Sequence, residues 1–450
     1  MRKFSLLLPV TLLMLSAGNA SADVIGLKTN RAVGTSLTLA LNSGVSATLE
    51  WGNGTTETHT FTGTPVDLSV ASDSLTISTS EGTITHFYAP DAGLVSLNTS
   101  GSPGLQRLMC AGNSLSRLDL AANKSLVDLD CSDNELSELT LTYNVALTDL
   151  NCAGNALERL AVPSAAARNL ETLVCADNKL GSIAGISAMP ALKSVWVQRN
   201  ELSALKLSSR ATGLQTLLAS SNGLTELALP AGTPYFTELW VENNQLTQLE
   251  LDATAVESSL AVVSADNNEL GLINWGEAKR APALKSLYVE NNRLFFNSLP
   301  KLRNAAFNYV VSPQNPYFVT ETFLLDEKYE LRPQLGTDCF GNILSGMTYT
   351  VTNLDGDVLE RGSGKDYLYT SGNWTFLTPQ RGVIITAQGS FYPDLVLSTV
   401  PARVVSTVGI DDVSADGTDR SAEVYDLSGR RVSRPAKGIY IVGGKKVLVK

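Results

Sequence analysis

Aliphatic and polar positions recur with a fixed long period between about Gly82 and Leu302. Each unit follows the pattern L-x-x-L-x-(C/V/A/L)-x-x-N-x-L, which is plain in LQRLMCAGNSL at 105–115 and LKSLYVENNRL at 284–294. Its asparagine returns every 21 to 24 residues. These asparagines are Asn113, Asn134, Asn155, Asn178, Asn200, Asn222, Asn244, Asn268 and Asn292. Tandem units of this kind predict a solenoid in which each unit adds one short strand to a parallel sheet.

The pattern resembles the leucine-rich repeat, and we assign residues 82–305 to a repeat domain. A degenerate unit begins it, with Ala92 at the asparagine position. Its apolar positions are Ile84, Phe87, Ala89, Leu94 and Leu97. Units of this length are too short for a full helix on the outer side. We expect a mainly β solenoid of about ten repeats with a thin extended or 3₁₀ convex face. The resemblance implies a protein that binds other molecules.

Two fixed columns of the repeat have structural explanations. An asparagine side chain carries a donor and an acceptor, so it can satisfy backbone groups that lose their sheet partners where the chain turns. Three residues before the asparagine, four units carry a cysteine, namely Cys110, Cys131, Cys152 and Cys175. This position points inward, so we expect small buried hydrophobic side chains. A disulfide between stacked neighbours or a metal site is the alternative.

The first 22 residues read as a secretory signal peptide. Arg2 and Lys3 precede an apolar stretch at 4–15, and Ala-Ser-Ala at 20–22 offers a cleavage site before Asp23. No later stretch approaches the roughly 18 consecutive apolar residues of a membrane-spanning helix. We therefore expect an exported protein with no transmembrane segment after signal removal.

Segments on both sides of the repeats have β character. From 23 to 81, runs such as LTLAL at 37–41 alternate with Gly, Ser and Asn turns, which predicts a small β-sandwich-like domain that can cap the solenoid. From 306 to 405, seven short runs predict an immunoglobulin-like β-sandwich. The first of these runs is YVVS at 309–312.

The last residues, 409–450, form a separate module with three predicted strands. It contains YDLSGRRV at 425–432, PAKGIY at 435–440 and the basic strand KKVLVK at 445–450. These motifs, in this order, resemble the C-terminal sorting domain of the type IX secretion system of Bacteroidetes. The resemblance implies a Bacteroidetes leucine-rich-repeat surface protein that this secretion machinery exports and that is attached to the outer membrane. It leaves open whether the tail is cleaved.

Charge and motif content narrow the function further. The net charge of −10 argues against nucleic acid or an anionic membrane surface as partner, because both need basic patches. His59 and His86 are the two histidines, and neither lies near a catalytic cysteine or a G-x-S-x-G elbow in the sequence. The sequence contains no P-loop, G-x-G-x-x-G or H-E-x-x-H motif. We expect no catalytic residues, no cofactor and no metal, with a glycosidase carboxylate pair disfavoured but not excluded because it leaves no local motif.

The variable positions of the repeat carry the functional prediction. Side chains alternate along a strand, so the residue between the two inward positions faces the concave surface. That column reads Met109, Asp130, Asn151, Val174, Trp196, Leu218, Trp240, Ser264 and Tyr288. Its second half is apolar where a solvated face would be polar, and exposed aromatic residues mark binding sites.

We predict a ligand site on this surface, bordered by acidic side chains. Its residues are Val174, Trp196, Leu218, Trp240, Glu242, Tyr288 and Glu290. The expected ligand is an extracellular protein, with a glycan as the alternative because aromatic platforms beside carboxylates also suit sugars. A simpler explanation is that the aromatic residues pack against a neighbouring domain or stiffen the sheet. The sequence identifies neither the ligand nor the oligomeric state.

Overall fold

The computed structural model describes residues 22–278, 283–300, 308–390 and 392–406, together with residue 432 and three short strand segments near the C-terminus. The predicted signal peptide, except for its last residue, lies outside the described residues. The chain divides into two compact units, Met1–Trp240 and Val241–Lys450.

The first unit begins with antiparallel strands. These and the strands of the first repeat are β1 Val24–Thr29, β2 Ser36–Leu41, β3 Val45–Trp51, β4 Thr56–Phe61, β5 Val66–Ser69, β6 Ser74–Glu81, β7 His86–Tyr88 and β8 Leu94–Gly101. One sheet has the order β4-β3-β6-β1-β8. Alternation along β1 and β3 buries Ile25, Leu27 and Leu49, as expected for strands with one face on a core. Whether this segment is a β-sandwich stays a prediction.

Strands on the two sides of the domain boundary that we predicted at residue 81 pair with each other. The first-repeat strand β7 pairs antiparallel with β2, and β8 pairs antiparallel with β1. The sheet edge formed by β7 is therefore covered by an N-terminal strand, which satisfies backbone groups that an open edge would expose.

The remaining strands of the first unit come from the repeats. They are β9 Arg107–Met109, β10 Asp128–Asp130, β11 Asp149–Asn151, β12 Leu160–Ala161, β13 Thr172–Val174, β14 Ile183–Ala184, β15 Ser194–Trp196, β16 Ala204–Lys206, β17 Thr216–Leu218, β18 Glu226–Ala228 and β19 Glu238–Trp240. A parallel sheet runs β7-β9-β10-β11-β13-β15-β17-β19. Its register is in phase, so Leu108, Leu129 and Leu150 are direct neighbours. These leucines are buried, and the column forms a continuous core.

The opposite side of the coil is thin, as predicted. β12 pairs parallel with β14, and β16 pairs parallel with β18. Short 3₁₀ turns occupy Ala166–Arg168 and Ile186–Ala188. The degenerate first repeat also folds in phase, because β7 pairs with β9 and the side chains of Phe87 and Ala92 are buried. The mainly β, parallel solenoid of about ten turns is thereby confirmed.

The second unit continues the repeats with one departure from expectation. Its repeat elements are β20 Gln248–Glu250, helix α1 Ala253–Ser258, β21 Val262–Ser264, β22 Leu272–Asn274, β23 Ser286–Tyr288, a 3₁₀ turn Phe296–Ser298 and β24 Asn308–Val310. We expected an extended or 3₁₀ outer face without a full helix, yet the six-residue helix α1 forms in a 24-residue repeat. Asp252 caps it by accepting a hydrogen bond from the Ala255 backbone N–H at 3.2 Å.

The repeat pattern extends past the boundary predicted at residue 305. β24 pairs parallel with β23, although we assigned its sequence to the following domain. Gln314 takes the ladder position there. Its Nε2 donates to the backbone oxygens of Val289 at 2.7 Å and Val311 at 2.8 Å, and its Oε1 accepts from Leu294 N–H at 2.9 Å. A glutamine in place of asparagine concealed this turn from the sequence pattern.

Two further sheets follow in the second unit. Their elements are β25 Thr322–Leu324, β26 Tyr329–Glu330, helix α2 Arg332–Leu335, β27 Met347–Asn353, β28 Tyr367–Thr370, β29 Asn373–Phe376, β30 Gln380–Gly389, β31 Tyr392–Ser398 and β32 Ala402–Val405. One sheet has the order β25-β32-β30-β27 with β31 also on β30, and the other has the order β26-β29-β28. Trp374 and Phe376 are buried. The immunoglobulin type of this segment stays a prediction.

The C-terminal module is described by its strands alone. β33 Val424–Tyr425, β34 Gly438–Val442 and β35 Lys445–Val449 pair antiparallel in that order. The rest of the predicted sorting module lies outside the described residues. No helix in the described part of the chain is long and apolar enough to cross a membrane.

Candidate functional site

The asparagine ladder fixes the turn that follows each strand. In Asn134, the Nδ2 group donates to the backbone oxygens of Cys110 at 3.0 Å and Ser132 at 3.0 Å, and Oδ1 accepts from Leu115 N–H at 3.0 Å. One side chain thus joins two successive turns of the coil. Asn268 makes the same set in the second unit, donating to Val241 and Ala265 and accepting from Leu246. These contacts use both amide hydrogens of a buried side chain, so the role of the ladder asparagine is structural.

The residue before each ladder asparagine adopts a left-handed backbone. Its φ is +67° at Gly112, +51° at Asp133, +65° at Gly154 and +54° at Ser221. We did not read this position from the sequence, although its frequent Gly, Asp and Asn were a usable signal, because these residues enter that region most readily.

A second asparagine column lies on the far side of the coil and was also missed. Asn123 and Asn144 are fully buried. Asn123 donates to the backbone oxygens of Thr99 and Ser102, and Asn144 donates to that of Asn123 at 2.9 Å. With only two members, the column gave little repeat signal.

The cysteines of the column are buried and unpaired. All four thiols are fully buried and form no disulfide. Burial raises the pKa of the Cys110, Cys131 and Cys152 thiols well above the ordinary value, and neighbouring cysteines add to the effect. Within the described residues, no group of three or more His, Cys, Asp or Glu side chains could hold a metal ion. The column therefore belongs to the core.

The predicted apolar column divides between the two units. Val174, Trp196, Leu218 and Trp240 are the last residues of adjacent strands in the first unit, and in-register pairing makes them neighbours. Each is half-buried. Neighbouring strands lie about 4.8 Å apart, so the four side chains form one continuous ridge on the sheet face. We call the sheet face that carries this ridge the open face.

The remaining predicted site residues belong to the second unit. Glu242, Tyr288 and Glu290 are half-buried there. Ser264 occupies the column position before Tyr288 and is almost fully buried. Burial raises the pKa of Glu290, and Asp266 adds to that rise while a backbone hydrogen bond opposes it. The structure thus groups four of the seven predicted residues as one surface of the first unit.

The two tryptophans of the ridge meet different partners. The Trp240 Nε1 donates to a carboxylate oxygen of Glu238 at 3.2 Å. The Trp196 Nε1 is shielded from solvent and has no hydrogen-bond partner among the described residues. The Oε1 of Gln198, two residues later, is shielded and unpartnered in the same way. The sheet-like hydrogen bonds of Val197 and Arg199 keep both side chains on one face.

The surroundings of Trp196 carry no ionisable side chain on the open face. We call this region the neutral patch, and its residues are Thr172, Val174, Ala176, Ser194, Trp196, Gln198, Thr216, Leu218 and Ser220. Carboxylates adjoin it on the next strands, because Asp149 is the in-register neighbour of Thr172 and Glu238 is that of Thr216. Two ion pairs also lie beside it. Lys193 Nζ lies 2.6 Å from Glu171 Oε2, and Arg199 pairs with Asp177.

The other end of the same sheet face is acidic. Asp128 lies between Arg107 and Asp149 on adjacent strands, and its carboxylate is 3.1 Å from the Arg107 guanidinium. Burial raises the pKa of Asp128 to about 6, while Arg107 lowers it and the nearby carboxylates of Asp149 and Asp130 raise it. The open face is therefore acidic around Asp128 and neutral and apolar around Trp196.

The two histidines take structural positions. His59 in β4 packs its ring edge-on against Phe61, with ring centroids 4.7 Å apart. His86 in β7 shares a hydrogen bond with the Thr85 hydroxyl at 2.9 Å. Burial and the Arg107 charge lower the pKa of His86. Neither arrangement includes an activated nucleophile.

No protein-family model matches the chain, and no curated protein matches it. Among solved structures, YopM from Yersinia enterocolitica is 25% identical over 51% of this chain and 56% of its own, with a TM-score of 0.38. A leucine-rich-repeat protein of Leptospira interrogans is 17% identical over 49% of this chain and 63% of its own, with a TM-score of 0.37. The chain spans less than two thirds of either protein.

The functional domain of InlJ from Listeria monocytogenes, described as including a cysteine ladder, is also similar. It is 18% identical over 75% of this chain and 94% of its own, with a TM-score of 0.23. The fold assignment rests on the strand register of this chain itself, since all three superpositions are partial.

Proposed function

We propose that the chain is a non-catalytic protein-binding module whose partner docks on the open face of the first unit. The observation that carries this proposal is the ridge of Val174, Trp196, Leu218 and Trp240 on adjacent strands. A purely solvated face would carry charged side chains there. Tryptophan dominates the energetics of protein interfaces because it supplies a large apolar area and a polar N–H.

The partner is extracellular, and the chain acts as an adhesin or receptor at a bacterial surface. The sequence of the signal peptide and the resemblance of 409–450 to a type IX sorting domain support this location. Glu242, Tyr288 and Glu290, which belong to the second unit, stay predicted contacts.

A glycan is the second candidate ligand. The observation that favours it is the carboxylate of Glu238 held beside the indole of Trp240, since sugar-binding surfaces combine aromatic rings with carboxylates. No arrangement in the described residues favours catalysis over binding.

The test compares the wild-type chain with the Trp196→Ala, Trp240→Ala double variant on an array of extracellular host proteins and on a glycan array. We expect protein ligands whose affinity falls at least about tenfold in the variant, which corresponds to about 1.4 kcal/mol. Circular dichroism verifies that the variant is folded. Unchanged binding of every captured ligand would overturn the proposal, and loss confined to glycans would favour the second candidate.

A further inference from the structure

The two tryptophans of the ridge are unequal in their remaining hydrogen-bonding capacity. The Trp240 indole N–H donates to the carboxylate of Glu238 within its own strand. The residue two positions before Trp196, equivalent to Glu238, is Ser194, whose side chain is too short to accept the indole N–H. The Trp196 Nε1 has no partner among the described residues. Trp196 therefore has an unused N–H donor, and another molecule or a side-chain rearrangement must supply its acceptor.

Gln198 supplies the complementary unmet group. Its Oε1 is an acceptor without a donor in the described part of the chain, and it lies two residues from Trp196 on the same face. Unmet buried polar groups destabilise the unbound chain. The terminal side-chain torsions of Trp and Gln are broad, so both groups can turn outward without movement of the backbone.

The charge pattern indicates an uncharged ligand. The neutral patch contains no ionisable side chain, and Glu171 with Lys193 and Asp177 with Arg199 form closed ion pairs beside it. The nearest carboxylates on the open face, Asp149 and Glu238, lie two strands from Trp196 on either side. A charged group buried against Trp196 would find no unpaired counter-ion on the open face of that strand or of either flanking strand, which is strongly unfavourable. The partner segment that complements this patch is neutral.

The neighbours of Trp196 favour a peptide over a sugar. Strand register places Val174 and Leu218 on the two strands that flank Trp196, so aliphatic side chains border the tryptophan on both sides. These aliphatic side chains would also leave sugar hydroxyls unpaired. A main-chain amide instead offers one carbonyl and one N–H, which match one free donor and one free acceptor.

We propose that Trp196 and Gln198 anchor an uncharged, extended segment of the partner protein. The Trp196 indole N–H donates to a main-chain carbonyl, and the Gln198 Oε1 accepts from a main-chain N–H. Val174 and Leu218 contact apolar side chains of the same segment. This assignment rests on the proposed protein-binding function and specifies its partner chemistry.

The experiment selects binders to the full chain from a random 12-residue peptide library displayed on phage. Uncharged peptides from the selection are then synthesised and titrated against the wild type, Trp196→Phe, Gln198→Leu and the matched control Trp240→Phe. Both Phe variants lose equal ring area and an N–H. We expect Trp196→Phe and Gln198→Leu each to weaken binding about 3- to 10-fold. Trp240→Phe removes the same ring area, but its N–H already donates to Glu238, so its loss should be smaller than that of Trp196→Phe.

A nuclear magnetic resonance measurement isolates the hydrogen bond from packing. The Trp196 indole N–H signal, assigned by its absence in Trp196→Phe, should move downfield when peptide is added, and the Trp240 signal should not. Equal weakening by the two Phe variants, or an unmoved Trp196 signal, would overturn the anchor while leaving the protein-binding proposal intact. A library that yields only charged binders, or none, would overturn it as well. Binding that also survives Trp196→Ala with Trp240→Ala would overturn both proposals.

Discussion

A ladder asparagine joins two turns of the coil with one side chain. The Asn134 Nδ2 donates to the carbonyl of Cys110 in the preceding repeat and to that of Ser132 in its own repeat. Its Oδ1 accepts from the Leu115 N–H of the preceding repeat. Aspartate could not donate, and leucine could do neither, so the repeat period is fixed by hydrogen-bond chemistry as much as by the leucines.

Replacement of Asn134 by alanine should lower the free energy of unfolding by about 1–3 kcal/mol, because it leaves buried backbone groups without partners. Urea unfolding followed by circular dichroism measures the effect. The matched control is the exposed neighbour Glu135, whose replacement by alanine should change stability by less than about 0.5 kcal/mol. Equal effects from the two variants would contradict the structural role of the ladder.

Asp128 should make stability depend on pH in a direction opposite to most carboxylates. Burial, partly opposed by Arg107, raises its pKa from the ordinary 3.8 to about 6 in the folded chain. The folded state therefore holds the proton more tightly than the unfolded state, and stability falls as pH rises from about 4 to about 6. Asn cannot titrate, so the stability of the wild type relative to Asp128→Asn should fall across that range. A difference that is flat or rises with pH would contradict the assignment.

At the scale of the element, each turn combines a left-handed residue with a buried column. A left-handed residue precedes every ladder asparagine in the described repeats. The degenerate first repeat keeps this feature, because Asp91 has a φ of +50° before Ala92, which replaces the asparagine. The inward position beside it takes Cys, Val or Ala because neighbouring strands leave little room. Both requirements are local, and each can be tested by one substitution.

Replacement of Gly154 by alanine should destabilise the chain by about 1–2 kcal/mol, the cost of a left-handed non-glycine residue. Its φ is +65°, and an added Cβ would also meet the side chain of Asp133. Gly181 is the matched control, since a Cβ there meets nothing within 4 Å. Thermal unfolding of the two variants compares them, and an equal loss in Gly181→Ala would refute the backbone explanation.

The cysteine column should tolerate valine and reject serine. Cys152 is fully buried among apolar neighbours, and Val197 and Val241 occupy the equivalent position later in the chain. Cys152→Ser should cost about 1–3 kcal/mol because a hydroxyl is buried without an assured partner, whereas Cys152→Val should cost less than about 1.5 kcal/mol. Chemical denaturation distinguishes them. A reversed order would indicate that the thiol has a role beyond packing.

Elements with strong periodicity were predictable, and those that depend on a single substitution were not. The in-phase strands follow from the leucine and asparagine spacing, because one residue type at one position forms a column. The turn at Gln314 was missed because glutamine replaces asparagine there. Helix α1 was missed because only two or three extra residues create its space. The inequality of Trp196 and Trp240 depends on the length of the side chain two residues earlier, which the column pattern does not express.

At the scale of the whole molecule, the fixed positions build a scaffold and the variable positions form the surface that we propose for binding. The first unit presents an acidic region around Asp128 and a neutral apolar patch around Trp196 on one sheet face. The Trp, Leu and Val side chains between the fixed positions were identified from the sequence alone. The assignment of Tyr288 and Glu290 to the second unit required the structure.

The most direct measurement of the central claim is the affinity of a captured protein partner for two arginine variants. Leu218→Arg places a charge in the middle of the neutral patch, whereas Tyr143→Arg changes an exposed residue in the connection between β10 and β11. Isothermal titration should show at least about a tenfold loss of affinity for Leu218→Arg and a change within about twofold for Tyr143→Arg. Wild-type affinity in Leu218→Arg, or equal losses in both variants, would contradict binding on the open face.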